Sequence, residues 1–229
     1  YITGYSFMPN GNIISIKLDN SGNIVWQKSF NSINNLNDLA NDLVLDSTGN
    51  IYITGYSNVN SVSDPNLVLL KLDNSGNILW QKRVNVLDSS VYPTGLVLDN
   101  SGNYIYTISQ TQSLNSILLL KADKNGSINW MKKIKNYLNV SSSPNGIGLD
   151  SSENIYITGS YALVSSTNYD IIALKMGNYQ ISDYYSENNP NFSTSNTSFS
   201  VSSPFSENAP GFTSANPAFT ITNPNFYIK

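Results

Sequence analysis

The fold is decided by one stretch, Leu43-Val-Leu-Asp-Ser-Thr-Gly-Asn-Ile-Tyr-Ile-Thr-Gly-Tyr56. It joins two short runs of aliphatic, β-branched and aromatic residues through a polar loop. The aspartate of the loop can accept hydrogen bonds from backbone amides ahead of it, and the first glycine tolerates a positive φ. Alternating residues on both sides of such a loop are typical of a β-hairpin. The stretch therefore predicts two antiparallel strands joined by a tight turn.

The same loop recurs along the chain at regular intervals. Six copies are present: Asp19-Asn-Ser-Gly-Asn23, Asp46-Ser-Thr-Gly-Asn50, Asp73-Asn-Ser-Gly-Asn77, Asp99-Asn-Ser-Gly-Asn103, Asp123-Lys-Asn-Gly-Ser127 and Asp150-Ser-Ser-Glu-Asn154. Their aspartates are 27, 27, 26, 24 and 27 residues apart, and the flanking sequences alternate between two kinds. The true repeat therefore contains two loops and about fifty residues, a period that is typical of propeller blades when the repeat consists of strands.

Each repeat contains a second hairpin. Leu67-Val-Leu-Leu-Lys-Leu72 leads into the third loop, and Ile78-Leu-Trp-Gln-Lys82 leads out of it. Four strands joined up and down make one blade. We therefore predict an all-β fold, a β-propeller of four-stranded antiparallel blades at residues 1–35, 36–88, 89–138 and 139–183.

The sequence contains about three and a half blades, fewer than the four to eight with which propellers usually close. The first unit lacks its innermost strand, and the fourth continues after Met176 without a tryptophan or an Asp-x-x-Gly loop. The chain also opens on Tyr1-Ile-Thr-Gly4, which matches Tyr52-Ile-Thr-Gly55 and so begins partway along a strand. We expect further N-terminal sequence to supply more blades; the alternative is four blades closed by some other strand.

Two kinds of large side chain recur at fixed points of the blades. Tryptophans share one position and lysines another: Trp26, Trp80 and Trp130; Lys17, Lys71, Lys121 and Lys175. A large ring repeated on the outer strand is predicted to pack between neighbouring sheets rather than to stack on a ligand. The lysines are predicted to be solvent-facing charges at the blade edge rather than a ring of binding groups.

These repeats resemble a known family, the bacterial-type SBBP (seven-bladed β-propeller) repeats. The inner hairpin carries the resemblance in Leu43–Tyr56 and in Gly95-Leu-Val-Leu-Asp-Asn-Ser-Gly-Asn103. The outer hairpin carries it in Leu67–Asp73 and in Ile117-Leu-Leu-Leu-Lys-Ala-Asp123. The resemblance covers residues 1 to about 180 and leaves the C-terminal tail unassigned. It implies a propeller, usually of an exported or surface protein, without a shared catalytic activity.

The composition narrows the range of functions. Charged residues make up 12 % of the chain, the formal net charge is −3, and histidine and cysteine are absent. Without a basic face, binding to nucleic acid is not expected. Without histidine or cysteine, the commonest general base, the usual zinc ligands and disulfides are excluded. No stretch has the length of a transmembrane segment. Asn, Ser, Thr and Tyr in place of charge favour an extracellular or surface-exposed location.

The loop aspartates superficially resemble the ligands of calcium-binding loops. Each loop, however, offers one carboxylate, lacks the later bidentate glutamate and fits a hairpin turn without a metal. Acids outside the loops are the only candidates for a paired-carboxylate hydrolase, but nothing in their spacing pairs them. They are Asp64, Asp88, Asp170, Asp183 and Glu187. We therefore predict no catalytic residue, no metal site and no cofactor.

The C-terminal segment, residues 184–229, contains a second and independent repeat. Leucine disappears and phenylalanine recurs at steps of six or seven residues, at Phe192, Phe199, Phe205, Phe212, Phe219 and Phe226. Prolines stand one or two residues before most of them, which excludes a helical coiled coil. The tail is therefore predicted to be extended or turning, with short β segments.

Evenly spaced aromatic rings need a place to be buried. Residues 188–229 are therefore predicted to dock on a protein partner, or on another copy of the chain, by adding strand to an exposed sheet edge. The alternative is a flexible linker whose phenylalanines contact nothing. N-glycosylation sequons begin at Asn125, Asn139, Asn191 and Asn196, and they matter only in an exported protein of a glycosylating cell.

Taken together, these features predict a non-enzymatic extracellular or surface structural protein, attached or polymerised through its tail, such as a component of a cell envelope, filament or virion. One alternative is a propeller that binds a glycan or a peptide on an aromatic surface supplied by Tyr5, Tyr56, Tyr92, Tyr106, Tyr161 and Tyr169. A second alternative is an enzyme whose acidic residues lie mainly in missing N-terminal sequence.

Overall fold

The computed structural model describes residues 1–6, 11–32, 36–58, 65–86, 90–112, 116–136, 142–162, 169–177, 180–185, 192–196, 200–202 and 212–215. Their strands are β1 (Ile2–Tyr5), β2 (Ile13–Leu18), β3 (Ile24–Ser32), β4 (Asp38–Leu45), β5 (Ile51–Asn58), β6 (Pro65–Leu72), β7 (Ile78–Asn85), β8 (Val91–Leu98), β9 (Tyr104–Thr111), β10 (Ser116–Asp123), β11 (Ile128–Asn136), β12 (Ser142–Leu149), β13 (Ile155–Ala162), β14 (Tyr169–Gly177), β15 (Gln180–Tyr185), β16 (Phe192–Asn196), β17 (Ser200–Ser202) and β18 (Phe212–Ala215). None of the described residues forms a helix long and apolar enough to span a membrane.

The first fifteen strands form four antiparallel sheets, each an up-and-down meander in chain order. The sheets are β1–β3, β4–β7, β8–β11 and β12–β15, and we call them blades one to four. The predicted all-β fold of four-stranded, blade-like antiparallel sheets is confirmed. Blade one has three strands of its own, with β1 at its inner edge.

Three tail strands complete the outer edges of three blades. β16 pairs with β11 of blade three, β17 with β7 of blade two, and β18 with β3 of blade one, all antiparallel. The described parts of the tail are therefore extended, in agreement with the prediction made from the tail repeat. They lie on the chain's own propeller.

The core lies between successive blades, because the middle strands are buried on both faces. Along β6, Leu67 and Leu69 pack towards blade three, whereas Val68 and Leu70 pack towards blade one. All four side chains are at most 1 % exposed. A third cluster between blades three and four contains Ile108, Ile155 and other aliphatic residues. A continuous apolar run, rather than an alternating one, is the pattern expected of such a strand.

A bulge near the start of each complete inner strand brings two backbones close together, and in blades two and four the residue opposite it is the glycine of Tyr-Ile-Thr-Gly. Register shifts occur between Ala40 and Asp42 and at the equivalent points of β8 and β12. A Cβ placed on Gly55 would collide with the backbone carbonyl of Leu39 on the bulged strand. Glycine is therefore required at Gly55 and, for the same reason, at Gly159, whereas blade three has Ser109 at the equivalent position.

Candidate functional site

The loop aspartates are committed to their own turns. The Asp46 carboxylate accepts hydrogen bonds from the backbone N–H groups of Thr48 (3.0 Å) and Asn50 (2.9 Å), and from the Asn50 side-chain amide (2.9 Å). Burial acts to raise the pKa of Asp46, but these hydrogen bonds outweigh it and lower the pKa to about 2. Gly49 follows with a φ of 83°. The geometry is that of a self-contained turn.

Carboxylates elsewhere in the described part of the chain do not converge either. No group of three or more acidic side chains with the spacing of metal ligands occurs among the described residues. The turns at Asp19, Asp73, Asp123 and Asp150 repeat the bonds to the second and fourth residues after the aspartate. Each of these carboxylates therefore stabilises its own hairpin turn.

Trp26 joins blade one to blade two and Trp80 joins blade two to blade three, as their position in the repeat predicts. The indole Nε1 of Trp26 donates to the carbonyl of Asn74 (3.0 Å), and that of Trp80 donates to the carbonyl of Lys124 (2.9 Å). Each acceptor lies in the outer-hairpin turn of the following blade. Trp80 also packs against the core between blades two and three. The rings therefore serve packing between sheets, not the stacking of a ligand.

The predicted solvent exposure of the aligned lysines is wrong for Lys71 and Lys121, which are only 9 % and 7 % exposed. Register places each lysine between a tyrosine on one neighbouring strand and a tryptophan on the other. The Lys71 ammonium lies 4.7 Å from the centre of the Tyr52 ring and donates to the Lys124 carbonyl at 3.3 Å. Burial lowers the pKa of Lys71, while Asp46, 3.9 Å away, acts to raise it. The cation is thus part of the blade interior.

An acid that the repeat pattern does not reveal is buried between blades one and two. Asp38 is completely buried, and one carboxylate oxygen accepts a hydrogen bond from the backbone N–H of Ser32 on the outer strand of blade one (2.6 Å). Burial raises the pKa of Asp38 to about 6, and hydrogen bonds from Ser57 and Ser32 limit the rise. Blades three and four have Val91 and Ser142 at this position, so periodicity could not have found it.

A second acid, Asp42, joins the inner strands of blades two and three. Its carboxylate accepts hydrogen bonds from the backbone N–H groups of Leu43 and Leu96, both at 2.8 Å. Blades three and four have glycine at the equivalent points of the bulge, Gly95 and Gly146. Asp42 therefore adds a hydrogen bond between blades two and three that has no equivalent at Gly95 and Gly146.

The outer blade edges hold the predicted docking residues that the structure describes. Phe192 is the register partner of Asn136, and Phe212 is the register partner of Ser32. The other four predicted docking residues, Phe199, Phe205, Phe219 and Phe226, lie outside the described residues. The sequence predicted strand addition at a sheet edge but not that the edge belongs to the same chain.

Three of the predicted surface tyrosines come together at the end of the blades opposite the aspartate turns. The rings of Tyr56 and Tyr92 meet edge to face with centres 5.4 Å apart, and Tyr5, 44 % exposed, lies beside them. Burial, with Tyr92 and Tyr5 nearby, raises the pKa of Tyr56. The Tyr92 hydroxyl reaches the Gln112 side-chain carbonyl at 3.4 Å. We call Tyr5, Tyr56 and Tyr92 the tyrosine cluster.

One hairpin of these blades matches the model of a known family. Residues 34–61 match the model of the SBBP beta-propeller repeat. The chain contains an SBBP repeat. The match covers β4 and β5, the inner hairpin of blade two, and it confirms the resemblance drawn from that hairpin. No curated protein matches the chain.

The remaining candidate residues fall outside the SBBP hairpin. Tyr106 is buried beneath Trp130 and cannot form part of an aromatic surface. The backbones of Tyr161, Tyr169 and Asp170 lie in β13 and β14, and that of Asp183 lies in β15. Asp64, Asp88 and Glu187 lie outside the described residues.

The four predicted sequons have different places in the chain. Asn125 lies in an exposed aspartate turn of blade three, where its backbone N–H donates to Asp123. Asn196 is the last residue of β16. Asn139 and Asn191 lie outside the described residues. Their use as glycosylation sites stays a prediction.

Proposed function

We propose that this protein is a non-enzymatic structural or assembly component located outside the cell or on a surface, such as an envelope, filament or virion. The SBBP-type propeller supplies a rigid body, and residues 188–229 supply the attachment segment. A surface that uses amide and hydroxyl groups, with 12 % charged residues in the whole chain, supports this location. The buried Lys71 and Lys121 leave still less charge on that surface.

Strand addition at the outer blade edges is the observation that carries the proposal. A sheet edge presents unpaired N–H and C=O groups to any extended segment of suitable register. β3, β7 and β11 each receive a tail strand. A chain with several such edges and a repetitive tail can join copies by the same pairing, because main-chain hydrogen bonds do not distinguish one copy from another.

The test compares the natural chain with a full-length variant in which all six tail phenylalanines are replaced by serine. We expect the variant to lose surface attachment in cell fractionation and self-association in sedimentation velocity. A control variant replaces Ser198, Ser203 and Ser206 by alanine and is expected to behave like the natural chain. Unchanged attachment and association in the phenylalanine variant would contradict the proposed role of the tail.

The tyrosine cluster supports a second candidate function, the binding of a glycan or peptide. Partly exposed tyrosine rings with adjacent amide groups suit sugar stacking and hydrogen bonding. The arrangement brings together Tyr5 from β1, Tyr56 from β5 and Tyr92 from β8, next to Gln112. Such a cluster at one end of a propeller is accessible to a ligand from solvent.

A glycan array separates the two functions. We expect Tyr5→Ala to abolish specific binding, because Tyr5 is the most exposed ring of the cluster. Tyr156→Ala is the matched control, since Tyr156 is 38 % exposed at the opposite end of the blades, near Asp150. Absence of specific glycan or peptide binding by the natural chain would remove this candidate.

A further inference from the structure

The three tail strands meet their blades at equivalent positions. When the outer strands are aligned on their tryptophans, the residue five positions after each tryptophan is one that pairs with the tail. These pairs are Lys135 with Ser193, Asn85 with Ser200, and Asn31 with Thr213. Three separate segments of the tail therefore use one register.

The sequence of the tail repeats in the same phase as this register. Ser193, Ser200 and Thr213 each follow directly after a phenylalanine of the repeat, so the paired residue has the same place in all three tail units. The next tail residues, Thr194, Val201 and Ser214, pair with residues that are completely buried in the blades: Ile134, Val84 and Phe30. A one-residue slip would exchange the two faces of the added strand, so the shared register is a specific arrangement.

The spacing of the tail strands fits passage from one blade to the next. Four residue steps lead from Asn196 at the end of β16 to Ser200 at the start of β17. Four extended residues span up to about 14 Å, and packed sheets lie about 10 Å apart. The connection from β16 to β17 is therefore long enough to reach a neighbouring blade. The step from β17 to β18 takes longer and passes Phe205.

We propose that the unit Phe-Ser/Thr-x is a register-setting docking unit and that β16, β17 and β18 form a strap over blades three, two and one of their own chain. The strap runs backwards along the propeller and covers the edges of β11, β7 and β3 with the residues that follow Phe192, Phe199 and Phe212. The unit at Phe205 belongs to none of the described tail strands. The inference rests on the proposed attachment of the tail by strand pairing: within one copy the tail pairs with its own blades, and copies are joined when a tail pairs with the blades of another copy instead.

Engineered disulfides in the full-length chain test both the register and the occupant, because the chain has no natural cysteine. The variants are Ser193→Cys with Lys135→Cys, Ser200→Cys with Asn85→Cys, and Thr213→Cys with Asn31→Cys. Neighbouring pairs alternate in geometry, so Thr194→Cys with Ile134→Cys is tested as well. The slipped control is Thr194→Cys with Lys135→Cys, whose Cβ atoms point to opposite faces.

We expect rapid oxidation to a disulfide within one chain for at least one pair on each blade, measured by mass spectrometry at low protein concentration. Equal cross-linking of the slipped control would overturn the register while leaving an attached tail. Disulfides between two copies would overturn the strap within one chain but agree with the proposed assembly function. Absence of any cross-link would overturn the strap altogether.

Single phenylalanine variants in the cysteine backgrounds test the docking unit itself. We expect Phe192→Ala to slow disulfide formation at Ser193 by about tenfold, the effect of a loss of about 1.4 kcal/mol in docking. Phe205→Ala is the matched control, because the residue after Phe205 belongs to none of the described tail strands, and it should leave the rate at Ser193 unchanged. Equal rates for the two variants would show that phenylalanine does not set the register.

Discussion

The indole ring of Trp80 lies directly over Gly126 of the next blade. A Cβ on Gly126 would stand 3.0 Å from two ring carbons, and the ring Nε1 donates to the carbonyl of Lys124 in the same turn at 2.9 Å. Trp26 has the same relationship to Gly76, where a Cβ would lie 3.1 Å from the ring. Glycine in these outer-hairpin turns therefore meets two demands, a positive φ and the close approach of a tryptophan from the preceding blade.

We expect Gly126→Ala to destabilise the protein by about 2–4 kcal/mol, because the added methyl group combines backbone strain with displacement of the ring. Gly22→Ala is the matched control: Gly22 has a φ of 83° against 84° for Gly126, but nothing lies within 4 Å of its Cβ position. The control should cost only about 1 kcal/mol. Urea denaturation of both variants measures the difference. Equal losses would show that the tryptophan contact does not constrain the turn.

Asp38 should make stability fall as the pH rises. Its pKa is raised from 3.8 to about 6 in the folded protein, so between these values the folded state holds a proton that the unfolded state has lost. The stabilising contribution of this group is therefore complete below pH 3.8, is lost as the pH rises through about 6, and amounts to about 3 kcal/mol in all. Denaturation curves from pH 4 to pH 8 measure this decrease.

The variant Asp38→Asn isolates the contribution of Asp38. The amide oxygen can still accept the hydrogen bond from Ser32, but no charge is buried. We expect the variant to be more stable than the natural chain at pH 7, by about 1–3 kcal/mol, and close to it at pH 4. A stability difference that does not change with pH would contradict the buried ionisation.

The turn aspartates act in the opposite direction at lower pH. Hydrogen bonds hold the pKa of Asp46 at about 2, below the value of 3.8 expected in the unfolded chain. The stabilising contribution of Asp46 is therefore present above pH 3.8 and is lost as the pH falls towards 2. We expect Asp46→Ala to cost about 1–3 kcal/mol at neutral pH, since several donors lose their acceptor, and to cost less at pH 2. Thermal denaturation of both proteins across this range checks the prediction.

Periodicity was sufficient to predict the turns, the strands and the role of Trp80, because each of these features recurs in several blades. It misplaced Lys71, because alternation along a strand implies a solvent face only when one side of the sheet is exposed. The blades bury both faces, so the ammonium of Lys71 is covered by Tyr52 and the next turn instead.

Features that occur once could not be read from the sequence. Asp38 and Asp42 occur in blade two but not at the equivalent positions of blades three and four, and each accepts a hydrogen bond from a residue of a neighbouring blade. The seven-residue spacing of the tail predicted docking but gave no indication of its surface. The register of Ser193 against Lys135 follows from the pairing of strands far apart in the chain.

Asp42 provides the sharpest test of a link that occurs once. Its carboxylate is the acceptor for the backbone N–H of Leu96 on the next blade, at 2.8 Å. We expect Asp42→Ala to destabilise the protein by about 1–3 kcal/mol, because that buried N–H loses its partner. Asp42→Asn keeps an acceptor oxygen and should cost less than half as much. Hydrogen exchange of the Leu96 amide distinguishes the two variants directly: it should become faster in Asp42→Ala and change little in Asp42→Asn. Unchanged protection of that amide in both variants would mean that the inner strands are held together without this hydrogen bond.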